Sequence, residues 1–322
     1  MDFSSLSSNL FYVLLLLATF IGIFATLAGF FGRKAWILDL FSHFRLQYFL
    51  ALGICSLLFL PGAHYLAALV SGSTALVNLA LILPDSLPSP RVQSSPAHYR
   101  VMFCNVLQEN RQHDKVVKFI EQEDPDMIVL VEVDQEWIEG LKRLSSGYPY
   151  CYTAAVQDDH FGLAFFSRIP FDQAEICHFG KADVPTIVVR LFLEGHNLTV
   201  IGTHPYPPKR RGWSQRRDKQ LMAIVEFAAK QIGEVMVMGD LNLSPWSPFF
   251  KQLLHAGNLR DSRRGYGLQV TWPADLPIFL TPIDHILVTP GIVVDRREVG
   301  PYIGSDHYPI WMDFSFRQLD RV

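Results

Sequence analysis

The segment VMVMGDLNLSPWS, residues 235–247, leads an apolar run of Val and Met into a carboxylate and a carboxamide two positions apart. Side chains along a strand alternate with a period of two, so Asp240 and Asn242 are predicted to project to the same side. The preceding Gly239 has no side chain, which lets backbone or ligand come close. A buried strand that ends on two such polar groups is typical of a catalytic or binding site.

Further polar side chains stand at or just past the C-terminal ends of other apolar runs. Such strand ends line the ligand crevice in α/β sheets, so we expect these side chains to converge. Together, carboxylates, amides and imidazoles can hold a hard cation, activate water and donate hydrogen bonds to an anion. Together with Asp240 and Asn242, the residues are Asn105, Glu132, His204, Asp306 and His307.

The elements that must position these residues form a mixed α/β pattern that begins near Tyr99. Helices are predicted near residues 111–122 and 215–232, and the apolar residues from Leu221 to Ile232 have the spacing of one packing face. Short apolar strands are predicted within residues 99–106, 126–133, 161–168, 186–194, 197–204, 234–242, 283–290 and 307–316.

The N-terminal part of the chain is predicted to be a membrane anchor. Charged residues make up only 18% of the chain, below the roughly 25% that is usual in soluble domains. Neither Leu10–Phe31 nor Leu46–Pro84 contains Asp, Glu, Lys or Arg. A bilayer crossing needs roughly 20 apolar residues, so these runs suffice for one and two helices. We therefore expect three transmembrane helices within residues 1–84, kept in the mature protein because a cleaved signal peptide would start with basic residues.

A Ser- and Pro-rich linker, residues 85–98, is predicted to join this anchor to a second domain, residues 99–322. The sequence leaves open which side of the membrane carries that domain. Arg33, Lys34 and Arg45 in the first loop would place both the loop and the domain in the cytoplasm by the positive-inside rule.

The four cysteines do not decide the compartment. Cys55 lies in a membrane run and Cys104 in a strand, so Cys151 and Cys177 are the only plausible pair. We expect all four to be buried thiols.

Seven short motifs follow one another between Tyr99 and Phe316: FCNV, LVEV, GLAFFSR, GTH, GDLN, IDHILV and GSDH. With these motifs, the domain resembles the endonuclease/exonuclease/phosphatase superfamily, which includes pancreatic deoxyribonuclease, apurinic-site endonucleases, sphingomyelinases and inositol polyphosphate 5-phosphatases. One four-letter motif would be weak, but seven in family order are specific. The resemblance implies a deoxyribonuclease-I-like, four-layer αββα sandwich that hydrolyses phosphoesters with a divalent metal.

Hydrolysis of an anionic phosphoester needs a cation to neutralise developing charge and a base to make the nucleophile. Glu132 is predicted to bind the metal, and Asp306 to make a second metal contact. Asn105 is placed to hold Glu132 or a phosphate oxygen and is counted with this metal group. Hard Mg²⁺ (or Mn²⁺) suits such oxygen ligands.

Asp240 is predicted to orient and deprotonate the attacking water, as the matching Asp of the family is held to do. Asn242 would position that carboxylate or the phosphate. His307 and His204 would donate hydrogen bonds to the nonbridging phosphate oxygens in the transition state. Asp284 would bond the far nitrogen of His307 and hold its tautomer.

The substrate is less constrained by the sequence than the chemistry. The second domain carries more acidic than basic residues, the reverse of the balance usual in nucleic-acid binders. The exception is KRRGWSQRRDK, residues 209–219, whose Lys209, Arg210 and Arg211 are predicted to bind substrate phosphates. Val131 stands where the family often has Gln, and Leu107 where nucleases often have an acid or Arg, which weakens a nuclease assignment.

Three functions are compatible with these features. The preferred one is a membrane-anchored phosphoesterase for a phosphate ester or pyrophosphate, including a lipid-linked one, since tethering raises the effective concentration of membrane substrates. Similar bacterial proteins with three N-terminal helices are associated with polyprenyl-pyrophosphate dephosphorylation, which implies an extracytoplasmic domain, contrary to the loop charges. The alternatives are a tethered nuclease acting on nucleic acid and a noncatalytic binding module. The last would predict losses among Glu132, Asp240 and His307, all of which are present.

Overall fold

The computed structural model describes residues 3–87, 95–96, 98–154 and 160–318, with side chains from residue 9 onward. Most of the predicted linker, residues 88–94 and 97, lies outside this part of the chain. The helices, in chain order, are α1 Phe3–Phe30, α2 Trp36–Leu40, α3 Arg45–Phe59, α4 Tyr65–Ile82, α5 His113–Glu123, α6 Gln135–Gly140, α7 Arg211–Ala228 and α8 Pro248–Ala256.

Three long apolar helices form at the N-terminal end, but only two have the length of a membrane span. The segments Asn9–Phe30 and Tyr65–Asp85 are long and apolar enough to cross a membrane, whereas α3 has only 15 residues. At 1.5 Å per residue, α3 is about 22 Å long, short of the roughly 30 Å of a bilayer core. The prediction of three spanning helices is therefore wrong in its count, because the turn around Pro61 shortens the second apolar run.

These two helices are less buried than the core helices of a soluble protein, which are mostly buried. Only 22% and 28% of the residues in their most apolar windows are buried. Most of the exposed large apolar side chains in the described residues lie between Leu10 and Leu87. Arg45 is buried and donates hydrogen bonds to the Thr26 carbonyl oxygen and to Asn78. The loop-charge argument for orientation therefore rests on Arg33 and Lys34 alone.

The second domain is a mixed α/β sandwich, as predicted. One sheet has the strand order β11-β12-β1-β2-β4-β3 and the other β5-β6-β7-β8-β10-β9. All eight predicted strands form, and four others were not predicted. The strands are β1 Tyr99–Asn105, β2 Met127–Val131, β3 Tyr150–Ala154, β4 Leu163–Ser167, β5 Gln173–Cys177, β6 Thr186–Leu193, β7 His196–Thr203, β8 Glu234–Asp240, β9 Arg260–Asp261, β10 Asp284–Val288, β11 Ile292–Val299 and β12 Ile310–Phe316.

The two sheets face each other across an apolar core that includes Phe103, Val129, Met238 and Phe314. Helices α5 and α6 pack on the outer face of the first sheet, and α7 and α8 pack on the outer face of the second. The layers therefore run helix, sheet, sheet, helix. Helix α7 ends earlier than predicted, so Ile232 lies beyond it and is 83% exposed instead of packed.

Buried ion pairs join the N-terminal helices to the sandwich. Asp39 in α2 lies 3.4 Å from Arg217 in α7, and Asp85 lies 2.9 Å from Arg263. Ser247, the N-cap of α8, donates a 2.6 Å hydrogen bond to Asp39. These contacts hold the helical region against the sandwich through side chains that are at least 90% buried.

The cysteine prediction is only half right. Cys55 and Cys104 are buried, but Cys151 is exposed and Cys177 is partly exposed. All four are free thiols, and Cys151 is exposed because its strand β3 lies at the edge of its sheet.

Candidate active site

The polar residues at the strand ends meet at one edge of the sandwich. β1 and β2 are parallel, as are β7 and β8, so the carboxyl ends of each pair share an edge. Asn105 ends β1 and Asp240 ends β8, while Glu132 and His204 directly follow β2 and β7. Convergence of the four side chains follows from this topology.

Asp284 and His307 reach the same edge from the opposite strand ends. β10 is antiparallel to β8 and places Asp284 directly opposite Asp240. His307 precedes β12, which is antiparallel to β1. The expectation that Asp306 and His307 follow a strand is therefore wrong, but antiparallel pairing brings them to the predicted edge.

The carboxylate of Asp240 lies at the centre of the cluster. Its Oδ2 is 3.3 Å from Nδ2 of Asn105 and 3.5 Å from Nε2 of both His204 and His307. Its Oδ1 accepts a 2.9 Å hydrogen bond from the backbone N–H of Asn242. Asp240 and both histidines are at most 4% exposed, so these groups act on each other in a largely water-free space.

Burial and charge act in opposite directions on these groups. Burial disfavours the charged form of each, but in all three the neighbouring charges outweigh it. The two imidazoles lower the pKa of Asp240 to about 2. Asp284 and Asp240 raise the pKa of His307 to about 10, and Asp240 and Glu132 raise the pKa of His204. The cluster therefore favours an ionised Asp240 facing protonated imidazoles.

His307 is held through its ring and through its backbone. Its Nδ1 lies 2.9 Å from Oδ2 of Asp284, which is fully buried. Its backbone N–H donates to Oγ of Ser305, and that hydroxyl donates to the carbonyl oxygen of Asn105. These bonds fix the ring so that Nε2 faces Asp240.

Glu132 lies on the other side of Asp240 and has a partner that the sequence reasoning missed. Its Oε1 accepts a 2.8 Å hydrogen bond from Asn105, and its Oε2 is 3.2 Å from Nδ1 of His160. Nε2 of His160 is 3.3 Å from Glu109, and its carbonyl oxygen is 3.0 Å from Nδ1 of His204. His160 directly precedes the FGLAFFSR strand, which was the one signal in the sequence that could have identified it.

The donor set fits a divalent metal. The carboxylates of Glu132 and Glu109 and the ring of His160 offer ligand atoms within 4.8 Å of one another, as do Asp240, Asp284 and His307. Oδ1 of Asp306 is buried without a hydrogen-bond partner among the described residues, 4.0 Å from Nε2 of His307. A buried carboxylate oxygen that lacks a donor is costly unless a cation compensates it.

The structure shows how the side chains of Asn242 and Asn105 are held, and only that of Asn242 departs from the predicted geometry. Asn242 lies beyond the end of β8 with φ of 52°, so strand alternation does not apply to it, and its side chain donates to the carbonyl oxygen of Pro205. Oδ1 of Asn105 accepts the Leu107 N–H, while its amide nitrogen faces Glu132. Asn105 therefore holds Glu132 through its amide nitrogen, which is one of the two contacts predicted for it.

Left-handed backbone conformations are concentrated around the cluster. Leu107, Glu132, His160 and Asn242 all have φ between 52° and 62°. Such conformations cost roughly 1–3 kcal/mol each for residues other than glycine and collect at functional sites. At Glu132 the left-handed conformation follows directly on the end of β2, and there the side chain contacts Asn105 and His160.

The three basic residues that were predicted to bind substrate phosphates have different surroundings. The hydrogen bond to Glu132 raises the pKa of His160. Lys209 is near enough to His160 for its positive charge to oppose this rise. Arg210 lies over the Trp213 ring. Arg211 lines a cavity of about 610 Å³ that Arg33 and Lys34 also line, at the junction with the N-terminal helices.

Comparisons with known proteins agree with this fold. No curated protein matches the chain by sequence. Several solved structures have the same fold. Danio rerio TDP2 complexed with single-strand DNA product is 18% identical with a TM-score of 0.59, over 68% of this chain and 99% of that one. The human Nocturnin catalytic domain with bound sulfate is 19% identical with a TM-score of 0.57, over 70% and 97%. An endonuclease/exonuclease/phosphatase from Beutenbergia cavernae is 20% identical with a TM-score of 0.55, over 68% and 72%.

At these identities the solved structures establish the fold alone. A family model identifies the family as well, because it matches residues 98–307. This range is well over half of the chain and contains every member of the cluster. The chain belongs to the Endonuclease/Exonuclease/phosphatase family.

Proposed function

We propose that this chain is a membrane-anchored, divalent-metal-dependent phosphoesterase that hydrolyses a phosphate ester or pyrophosphate, with a lipid-linked phosphate as its preferred substrate. One observation carries the proposal: a buried carboxylate, Asp240, lies 3.5 Å from Nε2 of both His204 and His307, beside the Glu132 carboxylate. Such an arrangement can bind a phosphate anion and supply a proton acceptor next to it.

Each residue has a distinct role in the proposed reaction. Asp240 accepts a proton from the attacking water, while Asn105 and the Asn242 N–H hold its two oxygens in place. Nε2 of His307 and of His204 donate hydrogen bonds to nonbridging phosphate oxygens, where charge develops in the transition state. Asp284 keeps the proton of His307 on Nδ1, so that the ring stays oriented.

Glu132 and Asp306 are the proposed ligands for Mg²⁺ or Mn²⁺, with Glu109 and His160 as additional donors. When bound, the metal would polarise the phosphate and neutralise its charge. Asn105 would orient Glu132 toward the metal through its 2.8 Å hydrogen bond.

Membrane anchoring is supported by the helices Asn9–Phe30 and Tyr65–Asp85 and by their exposed apolar side chains. A nuclease is the second candidate, since one solved structure of the same fold is a complex with single-strand DNA product. The basic segment argues against it. Arg216 and Arg217 are engaged with Asp183 and Asp39, so they offer no continuous track for a nucleic-acid backbone.

The test uses the full chain in lipid nanodiscs with Mg²⁺ or Mn²⁺. A long-chain polyprenyl pyrophosphate and supercoiled plus single-stranded DNA are offered in parallel, with an Asp240→Asn variant as the background control. Release of inorganic phosphate with intact DNA supports the proposal. Nicking or shortening of DNA without phosphate release makes the chain a nuclease instead.

A further inference from the structure

An apolar loop borders the candidate active site and is exposed at its tip. The loop, residues 272–281, is called the strap here, and its ends pair through the backbone of Trp272 and Thr281. At the tip, Leu276, Ile278 and Phe279 are 54%, 74% and 49% exposed. The other exposed large apolar side chains of the described sandwich stand singly, so this is its one concentrated apolar patch.

One side of the strap is attached to the N-terminal helices at the point where α3 begins. The side-chain amide of Gln47 donates to the carbonyl oxygens of Ile278 and Leu280, at 3.2 and 2.9 Å. The ring of Phe44 meets that of Phe279 edge-on at 6.3 Å. Because α3 starts at Arg45, the tip lies level with the first turn of an apolar helix in the anchor.

The other side of the strap is attached to the candidate active site. The indole N–H of Trp272 donates a 3.1 Å hydrogen bond to Oδ2 of Asp306, and the backbone N–H of Ala274 donates to the carbonyl oxygen of Asp306. The Trp272 ring is 6.3 Å from that of His307. One short loop therefore connects the start of the anchor helix to the catalytic cluster.

We propose that the tip of the strap inserts into the interfacial region of the bilayer and thereby holds the mouth of the active site at the membrane surface. This inference rests on the proposed membrane anchoring and deepens it. Apolar and aromatic side chains beside the end of an apolar membrane helix are favoured at this depth, where they leave water without entering the lipid core. From Leu276 to Thr281 the strap carries no charge, and Asp275, just before them, would lie at headgroup level.

A strap inserted in this way would affect which phosphate compounds reach the active site. A lipid in the bilayer exposes its phosphate at headgroup level, so an active site held there meets the scissile group without extraction of the acyl or prenyl chain. The strap would favour phosphate esters of membrane lipids over dissolved phosphates through position alone.

The direct test measures the depth of the tip. Ile278→Cys is made in the full chain with Cys151→Ser and Cys177→Ser, labelled with an environment-sensitive fluorophore and reconstituted in vesicles of phosphatidylcholine and phosphatidylglycerol. We expect a blue-shifted emission that is quenched by lipids with a nitroxide on the upper acyl chain. The matched control is Ile232→Cys, an exposed isoleucine before the first residue of β8, at the strand end opposite to the site. A label at position 278 that behaves like one at position 232 overturns the inference.

A second test separates membrane positioning from folding. We expect Ile278→Ser with Phe279→Ser to lower kcat/KM for a long-chain polyprenyl pyrophosphate in vesicles by at least tenfold and to change that for soluble geranyl pyrophosphate less than twofold. Ile232→Ser should alter neither. Equal losses on both substrates would make the strap a structural brace. A chain that does not float with the vesicles contradicts the proposed anchoring, and one that cleaves neither pyrophosphate contradicts the proposed substrate, while the depth measurement still decides on the strap.

Discussion

Oδ2 of Asp240 lies 3.5 Å from Nε2 of His307, whereas Oδ2 of Asp284 lies 2.9 Å from Nδ1 of the same ring. A normal N–H···O bond spans about 2.7–3.2 Å, so the ring is bonded to Asp284 and is only near Asp240. The Nε2–H group of His307 is therefore oriented but uncommitted. It can donate to a bound phosphate oxygen without breaking an existing hydrogen bond.

Replacing Asp240 by Asn should separate its catalytic role from a structural one. The amide keeps the size of the side chain but cannot accept a proton from water, so kcat should fall by about 10²–10⁴-fold. The melting temperature and the Mg²⁺ dependence should change little, as circular dichroism and a metal titration would show. A variant that fails to fold would mean that Asp240 is a structural acid.

Replacing Asp284 by Asn should act through His307. The amide can present a donor to Nδ1 and so favour the wrong tautomer, and loss of such a supporting partner lowers activity by roughly 10–100-fold. Because Asp284 is a positioning residue, the NMR signal of the His307 ring protons should move as well. The matched control is Asp295→Asn, since Asp295 makes a 2.9 Å contact with His98 away from the site. Equal losses in both variants would contradict the assignment.

Much of this cluster could be predicted from the sequence, because buried strands are visible as continuous runs of apolar residues. The runs that end in Asn105 and Asp240 are continuously apolar, and topology then brings their last residues together. The missed elements lack this signal. Strands β3, β5, β9 and β11 lie at sheet edges, where one side meets solvent and apolar patterning weakens.

The Glu132–His160 contact could not be predicted, because it depends on a loop. His160 lies after the end of β3 and reaches Glu132 with φ of 60°, a backbone state that no residue pattern signals. The position of Asn242 was misjudged for the same reason, since β8 ends two residues before it. The period of two no longer applies beyond the end of a strand, and many of the candidate catalytic side chains lie there.

Replacing Glu132 by Gln should raise the Mg²⁺ concentration that gives half-maximal activity, by an expected tenfold or more. The neutral amide is a poorer ligand for a hard cation than a carboxylate. Chelation of divalent ions should abolish activity in the unmodified chain, and added Mg²⁺ or Mn²⁺ should restore it. The control is Glu109→Gln, whose side chain is 63% exposed at the rim of the same cluster and should shift the titration less. An unchanged titration for Glu132→Gln would remove that residue from the ligands.

Arg217 and Arg216 are sequence neighbours with opposite environments, so they provide a matched test of how the N-terminal helices are joined to the sandwich. Arg217 is 1% exposed, lies 3.4 Å from Asp39 of α2 and donates a 2.7 Å hydrogen bond to the carbonyl oxygen of Asn242. Arg217→Met should destabilise the full chain by roughly 3–5 kcal/mol, because it leaves the Asp39 carboxylate buried without its cation.

The corresponding Arg216→Met should change the stability far less, since its pair with Asp183 is exposed to solvent. Thermal unfolding in detergent would measure the difference. Asp39→Asn combined with Arg217→Met should recover part of the loss, because the double variant no longer buries an uncompensated charge. If the double variant lost as much as the sum of the two single ones, the pair would not be coupled. Arg217 would then act through its other partners, Asn242 and Asp218, and activity would fall even where stability is restored.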